Sequence, residues 1–348
     1  MGNGASMQIF HEGELEKDYN RVTGPEDATL FSLFQNGYMK LVDFLIQPDR
    51  NSYTISDLGP SIFTLDNMTI QRKDFTIITS LNNEDGKDRI LECSYWSKQK
   101  DHVTPQDKRP VLVYLHCNTG SRKDVLSIRD RAIHLGFNIL SFDFAGCGKS
   151  CPSFVTGGAL ESEDLVQLLL QVAVLEADTI SCFYLWGHSL GAATALMAVS
   201  KHTENLDVRG MVCDGAYTSL ENLAEDMMRQ VQTDGVPAPL WILRTGFRVL
   251  RTAVEDKGQF KMSSVVPLDH AKKCTIPALF ISGNADLYVP ERHAVALSEV
   301  YGGRNEIIRF EGDHYGKRPA EVLEFGLDFL AAVQETFEKT EEMERMKL

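Results

Sequence analysis

The sequence predicts an α/β fold in which a mostly parallel sheet carries helices on both faces. Three observations carry that expectation. From Pro110 onward, short apolar runs alternate with longer helix-like stretches, the rhythm of strand-helix-strand units. The runs are continuously apolar, as strands covered on both faces must be. Most of them run into Gly, Asp, Ser or His, at the strand ends where open α/β sheets bind their ligands.

Phe75–Thr79 and Ile90–Tyr95 read as two strands about a turn at Asn82–Gly86, forming an antiparallel edge. Val111–Leu115 is the first buried strand, followed by a helix over Ser121–Leu135 with a capping signature at Ser121 and Asp124. Asn138–Asp143 returns to the sheet, and Glu161–Glu176 is a helix whose first-turn acids suit the positive end of its dipole. Strand Cys182–Trp186 leads into helix Leu190–His202, and strand Gly210–Asp214 comes next. From Glu221 to Asp269 the rhythm stops, and this stretch reads as an insertion over the sheet top. Strands Ala278–Ser282 and Glu306–Phe310 resume it, and a last helix starts near Pro319 with Val322, Phe325, Phe329 and Val333 on one face. Residues 1–65 are an N-terminal extension whose one helical signal is Tyr38–Ile46; the domain spans 66–335, with its insertion at about 221–269, and 336–348 is a charged helical tail.

In 348 residues, 35 Lys and Arg stand against 49 Asp and Glu, a net charge of −14. Such acidity repels polyanions and argues against nucleic-acid binding. No apolar run approaches the ~20 residues of a membrane span. Met1–Glu14 has neither the basic nor the apolar part of a secretory signal, so a cytoplasmic location is expected. Seven scattered cysteines suit reduced thiols rather than a disulfide framework. Cys147 and Cys151 lack the second Cys or His pair of a zinc site, so neither metal nor cofactor is expected. The sequon Asn67-Met68-Thr69 is idle without a secretory route.

Gly187-His188-Ser189-Leu190-Gly191 lies directly after an apolar strand and directly before a helix. A serine there occupies a strained turn, and flanking glycines let the neighbouring backbones close in, so the hydroxyl is pushed out of the sheet top. Serine needs a base to take its proton and an acid to orient the base. Asp286 and His314 each follow a later strand, on the side where Ser189 emerges, and Asp214 is the second choice of acid. His188 and His293 are the other candidate bases; the first lies on the wrong side of the turn and the second on a helix. The developing oxyanion calls for two backbone amides: Leu190 at the helix start, and Asn118 in the loop His116–Gly120, with Cys117 as the alternative. The run Asp143–Ser150 ends in Gly-Lys-Ser, but Asp143 stands where a P-loop needs glycine, so it reads as the pocket rim.

With these residues in view, the chain resembles the α/β-hydrolases over about Phe75–Val333, in particular the branch holding serine aminopeptidase-like, prolyl-oligopeptidase-like and membrane-associated depalmitoylating hydrolases. The likeness implies an eight-stranded, mostly parallel sheet with a helical lid, a Ser-Asp-His triad and no metal. It implies hydrolysis of an ester, thioester or peptide bond in a small-molecule, acyl or peptide substrate. A non-catalytic scaffold that binds a lipid or protein is the alternative. That branch often has His-Gly at the oxyanion loop, where this chain has His116-Cys117, a side chain that could narrow the site or make it thiol-sensitive. In the insertion, Leu240, Leu243, Phe247 and Leu250 share one helical face and Arg244, Arg248 and Arg251 largely another, as in a packed cap helix or a membrane-facing lid. Met1-Gly2-Asn3-Gly4-Ala5-Ser6 fits N-myristoylation at Gly2, which alone gives only reversible membrane association on the cytosolic face.

Overall fold

The computed structural model describes residues 39–79, 88–99, 108–202, 206–233 and 240–347. Among the described residues nine strands form one sheet: β1 (Ile62–Leu65), β2 (Met68–Thr79), β3 (Arg89–Lys98), β4 (Arg109–Leu115), β5 (Asn138–Phe142), β6 (Ile180–His188), β7 (Val208–Asp214), β8 (Ala278–Gly283) and β9 (Asn305–Phe310). Their order is β1-β2-β3-β5-β4-β6-β7-β8-β9. The pairs from β1 to β3 and between β3 and β5 are antiparallel, and all later pairs are parallel.

The strand beyond the expected eight is β1, which closes on β2 through Asp66 and Asn67, both at positive φ (43° and 63°). That is the backbone of a type I′ hairpin turn, and Asp and Asn are among the few residues that tolerate it. The boundary expected at residue 65 therefore falls inside a hairpin. The expected turn at Asn82–Gly86 lies outside the described residues, as does Gly2.

Successive side chains of the parallel strands enter opposite layers, as the two-residue strand period requires. Val111, Val113 and Leu115 join one core, with the helices Ala159–Leu175, Leu190–His202 and Arg292–Val300; Leu112 and Tyr114 join the other, with Arg129–His134 and Ala320–Lys347. The last helix runs unbroken through the expected tail. Its buried face is Val322, Gly326, Leu327, Phe329, Leu330 and Val333, while Phe325 is 46% exposed, because Gly326 takes the close approach to the Trp186 indole.

A third core lies over the sheet top. It joins the helix over residues 39–46 to the insertion helices Leu220–Thr233 and Leu240–Gly258. On the latter, Leu250 and Val254 are fully buried, Arg248 is exposed, and Arg251 pairs with Glu221 at 3.6 Å, so this is a packed cap helix. The side chains of Leu240, Leu243 and Arg244 lie outside the described set. None of the described helices is long and apolar enough to cross a membrane.

One buried acid makes stability depend on pH. Asp164 accepts a 2.5 Å hydrogen bond from Thr79 Oγ1, and burial pushes its carboxyl up to about 6. The folded state thus holds this proton more tightly than the unfolded chain, and stability is lost as pH rises through that range. Asp164→Asn, which keeps an acceptor for Thr79, is expected to stabilise the fold by about 1–2 kcal/mol at pH 8 and by less at pH 5. Urea melts at the two pH values check this; an equal effect at both would contradict it.

Candidate active site

Strand β6 ends at His188 and the next helix begins at Leu190, so Ser189 makes the whole turn, at φ 55°. Its two glycines are there for contact. A Cβ on Gly191 would overlap the Leu115 carbonyl, and one on Gly187 would overlap the Gly191 carbonyl. The turn is held by Ser189 N–H donating to the Asp214 carbonyl (2.8 Å) and by Ala192 and Ala193 amides donating to the Ser189 carbonyl (3.0 and 3.1 Å).

His314 Nε2 lies 2.8 Å from Ser189 Oγ, and its Nδ1 lies 2.7 Å from Asp286 Oδ2. A carboxylate only accepts, so Nδ1 carries the proton and Nε2 is left to accept from the serine hydroxyl. The second Asp286 oxygen accepts the Tyr288 and Val289 amides at 3.0 and 2.7 Å, which fixes the carboxylate in its loop. All three side chains are buried. Gly215, at φ 63°, leaves room for the ring: a Cβ there would stand 3.0 Å from His314 Cε1.

The other candidates are placed elsewhere. Asp214, the second choice of acid, forms a buried two-pronged ion pair with Arg318 (Nε–Oδ2 2.8 Å, Nη2–Oδ1 3.0 Å) instead of reaching the histidine. Arg318 also donates to the carbonyls of His314 (3.0 Å), Asp313 (3.0 Å) and Gly316 (2.9 Å), and approaches His188 Nε2 at 3.0 Å. It ties the histidine loop to the ends of β6 and β7. Burial, then Arg318 and His314, hold the His188 imidazole well below the usual histidine range, so it stays neutral. His293 is buried on its helix, donating to Asp226 (2.7 Å) and accepting from the Thr218 amide (3.1 Å).

In the loop after β4, the Cys117 carbonyl accepts from His116 Nδ1 (2.6 Å) and the Gly120 amide (3.0 Å). That fixes the Cys117–Asn118 peptide plane, and the Asn118 N–H points away from both partners. Asn118 lines the pocket with Ser189 and Leu190, whereas the Cys117 thiol is buried beside Thr119 Oγ1 and pushed up to about 11 by burial. A protonated, enclosed thiol is a poor nucleophile. The Asp143–Ser150 loop is a brace rather than the expected rim: Asp143 accepts from Tyr53 Oη (2.6 Å) and the amides of Arg122 (2.7 Å) and Lys149 (2.8 Å). Val155 and Gly157, just beyond it, line the pocket.

A family model of the alpha/beta hydrolase fold matches residues 110–245. The chain has the α/β-hydrolase fold. The match holds the loop after β4 and the Ser189 turn but stops short of Asp286 and His314. An esterase of Pyrococcus furiosus, Pf2001, shares the α/β-hydrolase fold at a TM-score of 0.60 and 19% identity, over 84% of this chain and 98% of its own. The acylaminoacyl peptidase of Pyrococcus horikoshii matches at 0.52 and 14% identity, over 78% of this chain and 41% of its own. In sequence, YqkD of Bacillus subtilis (strain 168) is 27% identical over 218 residues, 61% of this chain and 67% of that protein. The lysophosphatidylserine lipase ABHD12 of Xenopus tropicalis is 26% identical over 119 residues, 33% of this chain and 30% of that protein.

Sequence reading missed two parts of this site. Phe44 and Leu45, from the extension, line the pocket, and Arg318 holds the histidine loop. Residues 38–46 carried a helical signal, but nothing local tied it to the site. Arg318 lies four residues past His314 in an irregular loop, where no periodicity reveals its direction.

Proposed function

We propose that this α/β-hydrolase is a serine hydrolase that cleaves an ester, thioester or amide bond through an acyl-enzyme. The observation that carries the reading is the continuous chain from Ser189 Oγ through the His314 ring to Asp286, at 2.8 and 2.7 Å, on a strained turn. In this reading Ser189 Oγ attacks the substrate carbonyl carbon as His314 Nε2 takes the hydroxyl proton. Asp286 stabilises the imidazolium, and the Leu190 and Asn118 amides receive the oxyanion. Collapse expels the leaving group, which takes the proton from His314. A water, activated by the same nitrogen, attacks the ester at Ser189 and releases the acid. The esterase and peptidase among the structural neighbours fit this chemistry and leave the scissile bond open.

A fluorophosphonate probe is expected to label the wild type at Ser189 and to spare Ser189→Ala. Mass spectrometry of the labelled peptide checks the site, and equal labelling of both proteins would refute it.

A further inference from the structure

The pocket wall most distant in sequence from Ser189 is the helix over residues 39–46, outside the segment that matches the family. It is tied on three sides. The Phe44 carbonyl accepts from Asn118 Nδ2 (3.1 Å), the Ile46 carbonyl accepts from the Val155 amide (2.8 Å), and Asp43 pairs with Lys257 of the cap helix (2.6 Å). The Phe44 ring stacks on Tyr288 at 6.3 Å and 25°. Facing it, Leu220, Leu223 and Met227 of the insertion helix complete the wall.

Among the described residues the lining holds no carboxylate, ammonium or guanidinium group. The side chains of Phe44, Leu45, Val155, Leu220, Leu223 and Met227 are built of carbon and sulfur alone. The hydroxyls of Tyr217 and Tyr315 are spent on the Gly157 carbonyl (2.8 Å) and on Asn118 Oδ1 (3.2 Å). A carboxylate or ammonium carried into this space would meet no counter-charge from these residues, a costly burial. The cavity volume is about 30 Å³, room for roughly two waters.

Resting on the acyl-enzyme reading, we propose that this pocket receives the acyl side of the substrate and selects a short, uncharged group of about two to four carbons. Phe44 and Met227 limit its size. The same chemistry disfavours removal of an amino-terminal residue, whose ammonium would lie beside the scissile carbonyl.

The test uses the full chain and five probes: p-nitrophenyl acetate, butyrate and octanoate, the mono-p-nitrophenyl ester of succinate, and leucine p-nitroanilide. In the wild type, kcat/KM for acetate and butyrate is expected to exceed that for octanoate by about tenfold, and those for the two charged probes by about a hundredfold. Phe44→Ala and Met227→Ala are each expected to raise the octanoate-to-butyrate ratio by about tenfold, a gain that unfolding cannot imitate. Fluorophosphonate labelling is run alongside. A protein that labels at Ser189 yet prefers octanoate, succinate or leucine, or whose ratio is unmoved in both variants, overturns the pocket assignment and leaves the serine hydrolase standing. A protein that does not label overturns both.

Discussion

Asp286→Asn is expected to lower kcat by about four orders of magnitude with little change in KM. The amide still offers an oxygen to the Tyr288 and Val289 amides, which hold the wild-type carboxylate at 3.0 and 2.7 Å, so the loop keeps its shape. What changes is the partner of His314 Nδ1, now 2.7 Å from a group that can donate. With the amide nitrogen turned to the ring, Nδ1 must accept, the proton moves to Nε2, and the atom facing Ser189 can no longer take a proton. Without the carboxylate, the imidazolium that forms on attack also loses its counter-charge. Steady-state kinetics beside a thermal melt separate chemistry from folding. A loss below tenfold in a protein with an unchanged melt would remove Asp286 from the orienting role.

Arg318→Met is expected to cost about 3–5 kcal/mol of stability, because it strands the buried Asp214 carboxylate. It should also lower kcat, because the guanidinium that donates to the His314, Asp313 and Gly316 carbonyls fixes the loop carrying the histidine. Arg318→Lys keeps the charge but not the fork, so it should recover part of the stability while kcat stays low. A kcat unmoved in Arg318→Met, with only the melt lowered, would make this residue a brace of the fold alone.

The three residues of the proposed triad could be found from sequence because each lies within a few residues of the end of an apolar strand, and a parallel sheet puts those strand ends on one side. The Ser189 turn was legible for a stronger reason: a strand, two glycines and an alanine-rich helix leave one geometry that avoids overlap with Leu115. What escaped was decided by distant contacts. Asp66 and Asn67 look like any polar pair until their positive φ closes a hairpin. Asp214 sits at a strand end as Asp286 does, and only Arg318, more than a hundred residues on, shows that its charge is already matched. Phe325 fits the apolar face as well as its neighbours do, and yields it to a glycine because the Trp186 ring lies there.

Asn118 connects three pieces that lie far apart in sequence. Its side chain donates to the Phe44 carbonyl and accepts from Tyr315 Oη, while its backbone belongs to the loop after β4. Of these two bonds only the first ties the wall of residues 39–46, and it contributes about 0.5–1.5 kcal/mol. The Ile46 carbonyl, the Asp43–Lys257 pair and the buried side chains of Leu41, Val42, Leu45 and Ile46 hold the same wall. To swing it away is to take a hydrophobic core apart, a far larger cost than that of a loop motion. The pocket is therefore a mould rather than a door, and its width is set together with the stability of the sheet beneath.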